Sequence, residues 1–234
     1  MCLCLCLPFP KPYQPPLFHR HFHHHHHHHH HHHRQCFDAI LSVVEINSWD
    51  PTSSIPVDDV VSALSGQFES WVVDHVLRLY STEDTDSVLT TIGLDERRTQ
   101  TFRAIQLLER LGQTEKVLVS SIADEWAHSL PARLLPKVEG DAYAQAFSDL
   151  VRTEALALVH KEATGDTCQR FFAQDLPLSA EERFQELFGM QQKWVKEDLV
   201  NYLKAVPGDL ANMLLKFTRS THVGTGGETV YTRR

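Results

Sequence analysis

Cysteine and histidine crowd the first 34 residues, and they are the side chains best suited to holding a transition metal. Cys2, Cys4 and Cys6 alternate with leucine, a proline-rich stretch follows, and an unbroken histidine run extends from His23 to His33. Thiolate and imidazole are good ligands for such ions. A structural zinc site needs four ligands held at defined spacing by a fold, and a homopolymer offers ligands without geometry. Three readings stand: a metal-binding tract, an unstructured tail, or a purification tag or translated repeat. The tract lacks helical or strand periodicity and cannot bury a core. Residues 1–34 are therefore expected to form a disordered tail, and no metal or cofactor is assigned.

Catalytic chemistry finds little to build on. His75, His128, His160 and His222 fall one to a segment. Asp124–Glu125 and Glu181–Glu182 are adjacent carboxylates, and neighbours in sequence do not face each other on a helix. Gly224–Thr225–Gly226–Gly227 lacks the Lys-Ser/Thr ending of a phosphate loop. No nucleophile or base comes with an orienting partner, so the chain is expected not to be an enzyme.

The bulk properties fit a packed protein of 234 residues, 42% hydrophobic and 22% charged. A net charge of −8 argues against a chain that holds nucleic acid by its whole surface, because neutralising phosphates takes Lys and Arg. Only Cys36 and Cys168 lie outside the tail, far from a disulfide framework, which points to a reducing compartment. No apolar run reaches the roughly 20 residues that span a bilayer. The apolar start lacks early positive charge and is broken by Pro8 and Pro10, unlike a signal peptide.

Apolar periodicity divides the remainder into three helix-rich blocks, 35–94, 95–178 and 179–234. In the first, Phe37, Ile40, Leu41 and Val44 share a stripe. Val57, Val60, Val61 and Leu64 follow Pro56, which suits a first turn, and Gly66 ends that helix. Phe68, Val72, Val76 and Tyr80 mark a third helix, and the β-branched stretch Val88 to Ile92 a short strand. In the second block Asp95 can cap a helix bearing Phe102, Ile105 and Leu108, which stops at Gly112. Thr114 can cap another with Leu118, Ile122 and Trp126. Gly140–Asp141 opens a third with Ala144, Phe147 and Leu150. Strand-like runs at Glu154–His160 and Cys168–Ala173 flank a turn at Gly165–Asp166.

The third block is clearest. Ser179 and Glu182 have capping-box spacing. Phe184, Leu187 and Phe188 share one face, Leu199, Tyr202 and Leu203 a second helix, and Leu210, Met213, Leu214 and Phe217 a third after the Pro207–Gly208 turn. Thr221–Val223 and Glu228–Thr232 can pair around a glycine-rich wing, Gly224 to Gly227. Three helices followed by a hairpin is the winged-helix order. The expected fold is mainly α with short β hairpins: tandem winged-helix modules behind a disordered tail.

Charge concentrates function in that last block. Eight cations face seven carboxylates there, a net +1, against fourteen and twenty-three before it, a net −9. The candidate contacts with a partner or DNA are Lys193, Trp194, Lys204, Lys216, Arg219, Arg233 and Arg234, with Arg183 and Lys196 adding to the positive count. Such a module can lay its third helix in the major groove. The alternative is a solvated face, since cations such as Lys216 and Arg219 are favourable near a helix C-terminus anyway. Trp194 either packs beneath the second helix or stands exposed as a partner anchor.

Several strings of this block also occur together elsewhere. Arg183–Phe184, Leu187–Phe188, Gln192–Lys193–Trp194, Asp198 and Tyr202 come first, then Leu214–Leu215–Lys216–Phe217–Thr218–Arg219, then Val230–Tyr231–Thr232–Arg233–Arg234. No single piece is specific. The ordered set resembles the C-terminal end of the Dcc family of sister chromatid cohesion proteins. It covers Ser179 to Arg234, with Phe217 where the family pattern usually has Tyr. The earlier blocks match in helical layout and general character.

The resemblance implies a non-catalytic nuclear subunit of a replication-factor-C-like clamp loader acting in DNA replication and sister chromatid cohesion. Its implied partners are the large and small subunits of that loader, DNA polymerase epsilon and, weakly, DNA, with no membrane. Family members carry a β-rich N-terminal half that docks on the loader subunits; here the Cys-Leu and histidine tract stands in that place. The other reading of the same helix order is a free winged-helix DNA-binding regulator.

Overall fold

A computed structural model describes residues 23–82, 90–138, 142–223 and 228–234. Among the described residues the fold is mainly α-helical with three small antiparallel sheets. The first group of elements is α1 (His23–Ile46), β1 (Ile55–Pro56), α2 (Val57–Leu64), α3 (Ser70–Leu79) and β2 (Thr91–Ile92). The second is α4 (Glu96–Glu109), β3 (Lys116–Leu118), α5 (Val119–His128), α6 (Tyr143–Thr153), β4 (Ala157–His160) and β5 (Thr167–Arg170). The third is α7 (Ala180–Met190), β6 (Lys193–Val195), α8 (Lys196–Leu203), α9 (Leu210–Phe217), β7 (Thr218–Val223) and β8 (Glu228–Arg233).

One topology recurs. A helix leads into a short strand that runs without a loop into the next helix, and a third helix leads into a hairpin in the second and third groups and into the single described strand β2 in the first. In the second and third groups the short strand pairs with the last strand of the hairpin, giving the orders β3-β5-β4 and β6-β8-β7. In the first group β1 pairs antiparallel with β2, Ile55 opposite Ile92, and a further bridge joins Ser81 to Leu94. Gly93 lies in that bridge region because only a bare Cα fits: a Cβ there would sit 2.2 Å from the Thr52 carbonyl oxygen.

Each group encloses a core, and the cores trespass on their neighbours. Phe37, Val60, Val76 and Ile92 are in the first, which also takes Phe102 of α4 and Leu134. Phe37 stacks on Tyr80, ring centres 3.7 Å apart, and both meet Phe102 edge-on. Trp126 and Phe147 anchor the second core, and the Trp126 indole donates to the Gln100 carbonyl at 2.9 Å. The third gathers Phe184, Leu187, Trp194, Leu199 and Tyr202, and draws in Ala155, Leu158 and Leu176 from the second group. Burial of apolar side chains at ~25 cal/mol per Å² drives this packing. The shared residues make adjacent groups cohere.

Several expectations are corrected. The tail was expected to run to Arg34, but α1 begins at His23, so the helix takes in the histidine run; residues 1–22 lie outside the described residues. Arg34 is tied to Glu109 of α4, and Asp38 accepts from Arg103 and Gln106. The strands β1, β3 and β6 were not foreseen. Because β3 intervenes, Leu118 rather than Thr114 precedes α5 at its N-cap. On α3 the buried side is Val73, Val76 and Leu77, while Phe68, Val72 and Tyr80 are half-buried. Ser179 occupies the N-cap of α7, but its side chain makes no capping bond, so the capping box is not formed. Glu154 to Leu156 turn instead of extending, with Ala155 at a φ of 51°.

Other expectations hold. Asp95 caps α4 by accepting from the Arg98 N–H at 2.7 Å. Gly165 and Gly208 take positive φ in their turns. Gly140–Asp141, the wing residues Gly224 to Gly227, and Val88–Leu89 lie outside the described residues. No described helix is long and apolar enough to cross a membrane.

Candidate interaction surface

The third group presents a groove of about 600 Å³ between α9 and the sheet edge. Its floor is Leu210, Ala211, Leu214 and Leu215 of α9, with Tyr231 of β8; Lys196, Arg219 and Arg234 stand around it. α9 starts where Asp209 accepts from the Ala211 N–H at 3.1 Å, and its inner face sets Met213 and Leu214 into the core. The outer face leaves Leu215 68% exposed. A helix with one apolar row inside and another apolar side chain outside has surface to offer a partner.

The sheet supplies the cations by register. Lys193 of β6 lies opposite Thr232 of β8, which lies opposite Arg219 of β7. Residues in register across three strands share a face, so Lys193 and Arg219 flank Thr232 and lie roughly 10 Å from each other, twice the strand spacing. That face points away from the core, because the alternate register row, Trp194–Tyr231–Ser220, carries the buried tryptophan. Arg234 closes the end of the groove: its backbone N–H donates to the Phe217 carbonyl at 3.1 Å and its guanidinium to the Leu215 carbonyl at 2.7 Å. Lys216 lies over the Phe217 ring, 4.9 Å from its centre.

Thus the structure brings Lys196, Arg219 and Arg234 around one groove, while Lys193 shares only the outer sheet face with Arg219, Lys216 is on the last turn of α9 and exposed Arg233 is at the end of β8. Three residues depart from expectation. Lys204 lies at the other end of α8 from Lys196, where its amine donates to the Thr153 carbonyl at 3.3 Å. It belongs to a junction, not to the groove. Trp194 is 1% exposed, and its indole donates to the Gln191 carbonyl at 2.8 Å and the Leu187 carbonyl at 3.2 Å. It is a core residue and not a partner contact, and of the two readings the packed one is correct. Arg183, counted among the surface cations, is also 1% exposed. Its guanidinium donates to the carbonyls of Tyr202 at 3.0 Å, Leu176 at 3.3 Å and Ala173. Burial pulls its pKa below the usual arginine value.

The equivalent helix of the second group is not available in the same way. α6 packs against α8. Arg152 of α6 forks onto Asp198 of α8, the Asn201 amide donates to the Arg152 carbonyl at 3.1 Å, and Tyr202 donates to the Phe171 carbonyl at 3.0 Å. Sequence reasoning missed this junction; the Asp198 and Tyr202 strings were visible, but their partners lie 46 and 31 residues away. Among the described residues no group of three or more His, Cys, Asp or Glu side chains is placed to hold a metal ion. Burial pushes the Cys36 and Cys168 thiols up to about 11, so neither is an activated nucleophile.

Comparison with known proteins gives a consistent picture. Residues 28–203 match the family model described as sister chromatid cohesion protein Dcc1. The match runs through the first two groups, so the likeness reaches well beyond the C-terminal strings. The chain is similar to sister chromatid cohesion protein DCC1 of Xenopus laevis, 23% identical over 185 residues, which cover 78% of this chain and 43% of that protein. It is 21% identical to the Homo sapiens DCC1 over 196 residues, covering 83% and 46%. A probable sister chromatid cohesion protein DCC1 of Dictyostelium discoideum is 24% identical over 218 residues, covering 84% and 54%. The chain spans about half the length of the curated relatives it matches.

Proposed function

The chain belongs to the Dcc1 family of sister chromatid cohesion proteins, and from that premise we propose that it is a non-catalytic subunit of an alternative clamp loader. In this reading it acts in the nucleus, in DNA replication and sister chromatid cohesion. It works with the large and small loader subunits, and its C-terminal modules link the assembly to DNA polymerase epsilon and to DNA. The helix–strand–helix–helix–hairpin order of the second and third groups supports reading them as tandem winged helices.

One observation carries the DNA-facing part: the exposed third helix α9, beside a groove rimmed by Lys196, Arg219 and Arg234. In helix-turn-helix proteins the corresponding helix enters the major groove. Few cations are present, so binding is weak and falls steeply with salt. The covered α6 leaves the last module as the one that reaches DNA.

The test has two arms on the full chain. Affinity capture with the large loader subunit and with DNA polymerase epsilon should retain it; failure with both, repeated on a chain extended by the N-terminal half of a longer relative, overturns the proposal. Fluorescence anisotropy on duplex DNA should give micromolar binding with little sequence preference. Strong base-specific selection would instead favour a free winged-helix DNA-binding regulator.

A further inference from the structure

A groove of about 660 Å³ opens between α1 and the start of α3. Its walls include His32, Phe68, Glu69, Trp71 and Val72, all within the described residues. Phe68 and Val72 are half-buried against the first core, and His32 meets the Phe68 ring edge-on, centres 6.2 Å apart. Trp71 stands 63% exposed, while Trp126 and Trp194 are buried and Trp49 is half-buried. Glu69 is exposed at the N-cap of α3, but its side chain makes no capping bond, and among the described residues it joins no ion pair. The surroundings are acidic: residues 35–94 carry ten carboxylates and a single cation, Arg78. An indole on an apolar floor is the chemistry that takes proline-rich segments, and a carboxylate beside it favours a segment with a flanking cation.

The chain carries such a segment itself. Lys11-Pro12-Tyr13-Gln14-Pro15-Pro16 belongs to residues 1–22, which precede α1 and lie outside the described residues. Pro12 and Pro15 have the P-x-x-P spacing, and a polyproline II helix repeats every three residues, which sets two such rings on one side of it. Lys11 comes directly before them. The length is sufficient. α1 begins at His23, nine residues before His32, about 14 Å at 1.5 Å per residue. The seven residues between Pro15 and His23 span up to about 22 Å at a rise of 3.1 Å each. We propose that the segment Lys11–Pro16 docks in this groove, its prolines on the Trp71 indole and Lys11 beside Glu69. Tethering decides the occupant: a short linker holds a segment near its groove at millimolar effective concentration, so a contact too weak to retain a free peptide is still filled from within the chain. This inference is independent of any role in cohesion.

The experiment is acrylamide quenching of tryptophan fluorescence on the full chain. Trp71 is the most exposed of the four tryptophans, and a Trp71→Phe variant identifies its share of the quenching. In wild type that share should be small. Pro12→Ala combined with Pro15→Ala should raise it several-fold, and so should Glu69→Lys alone. Adding Lys11→Glu to Glu69→Lys should restore the shielding, which a mere loss of stability would not do. Circular dichroism checks that each variant folds. Quenching of Trp71 that the proline substitutions leave unchanged overturns the proposal. Shielding that fades on dilution overturns it too, because the occupant would then be the segment of a second copy.

Discussion

Arg152 and Asp198 meet in a forked ion pair: Nε donates to the two carboxylate oxygens at 3.0 and 3.2 Å, and Nη2 to one of them at 2.9 Å. The two residues lie on α6 and α8, so this pair joins the second group to the third. Forked geometry is the strong form of the arginine–carboxylate contact, though partial exposure of Arg152 screens it. Asp198→Ala should cost about 1 kcal/mol in a denaturant titration, and a double-mutant cycle with Arg152→Ala should return a coupling of similar size. Strict additivity would show that the pair contributes nothing to the junction.

Arg183 is a harder test of the same region. It is a buried cation whose partners are three carbonyl oxygens. Removing it takes this donor from the Tyr202 and Leu176 carbonyls, while the Ala173 carbonyl keeps the Leu176 N–H at 3.3 Å; buried groups left unsatisfied cost 1–3 kcal/mol each, about 2–3 kcal/mol in all. Arg183→Ala should lower the urea midpoint accordingly. Arg183→Lys should restore little, because a point-like ammonium cannot span acceptors arranged for a planar fork. Near-wild-type stability in the lysine variant would contradict this account.

At Gly93 the issue is space. A methyl group there collides with the Thr52 carbonyl, and the backbone is held in place by the Leu94 N–H donating to the Pro51 carbonyl at 2.7 Å. Gly93→Ala should destabilise the first group by roughly 1–3 kcal/mol, as overpacking does. Gly66→Ala, with nothing near its Cβ position, should be close to neutral. Thermal melts of the two variants decide it.

How much of this was legible in the sequence depends on range. The long helices were readable because a core face repeats every three to four residues, as Phe37, Ile40, Leu41 and Val44 do. β3 was not, because three residues carry no period and its partner, Thr167 to Gln169, lies some fifty residues on. The inward turn of α3 was missed because α1 and α2 cover it from two directions, which selects Val73 and Leu77 over Phe68 and Tyr80. In the candidate site, charge singled out a block but not individual positions. Arg183 and Lys193 look alike in sequence; whether a cation is buried against carbonyls or set on an outer sheet face is decided by packing.

The thiols predict a pH dependence. Cys36 and Cys168 have pKa values raised by burial from 9.0 to about 11. A raised folded value favours the protonated thiol in the fold, so this stabilisation is complete below pH 9 and is lost as pH rises toward 11. Unfolding midpoints should fall across that window, and less steeply in a Cys36→Ala, Cys168→Ala variant once its lower baseline is subtracted. A parallel decline in both proteins would remove the thiols as the cause.

The groove cations separate by position. Arg219→Ala and Lys196→Ala should each weaken binding to duplex DNA several-fold and each reduce the salt slope by about 1. Lys204→Ala, at the junction with Thr153, should leave both unchanged. An equal loss in all three would mean that overall charge matters and the groove does not.

The covered face of α6 has a mechanical consequence. With the second and third groups locked together through Arg152, Asn201 and Tyr202, the two modules cannot swivel independently like beads on a string. They form a fixed elbow, so whatever seats against α9 also sets the direction in which α4, and α1 bonded to it, must point. On the proposed reading, the last group would then act as an aiming device, converting a contact at α9 into a defined heading for the rest of the packed chain.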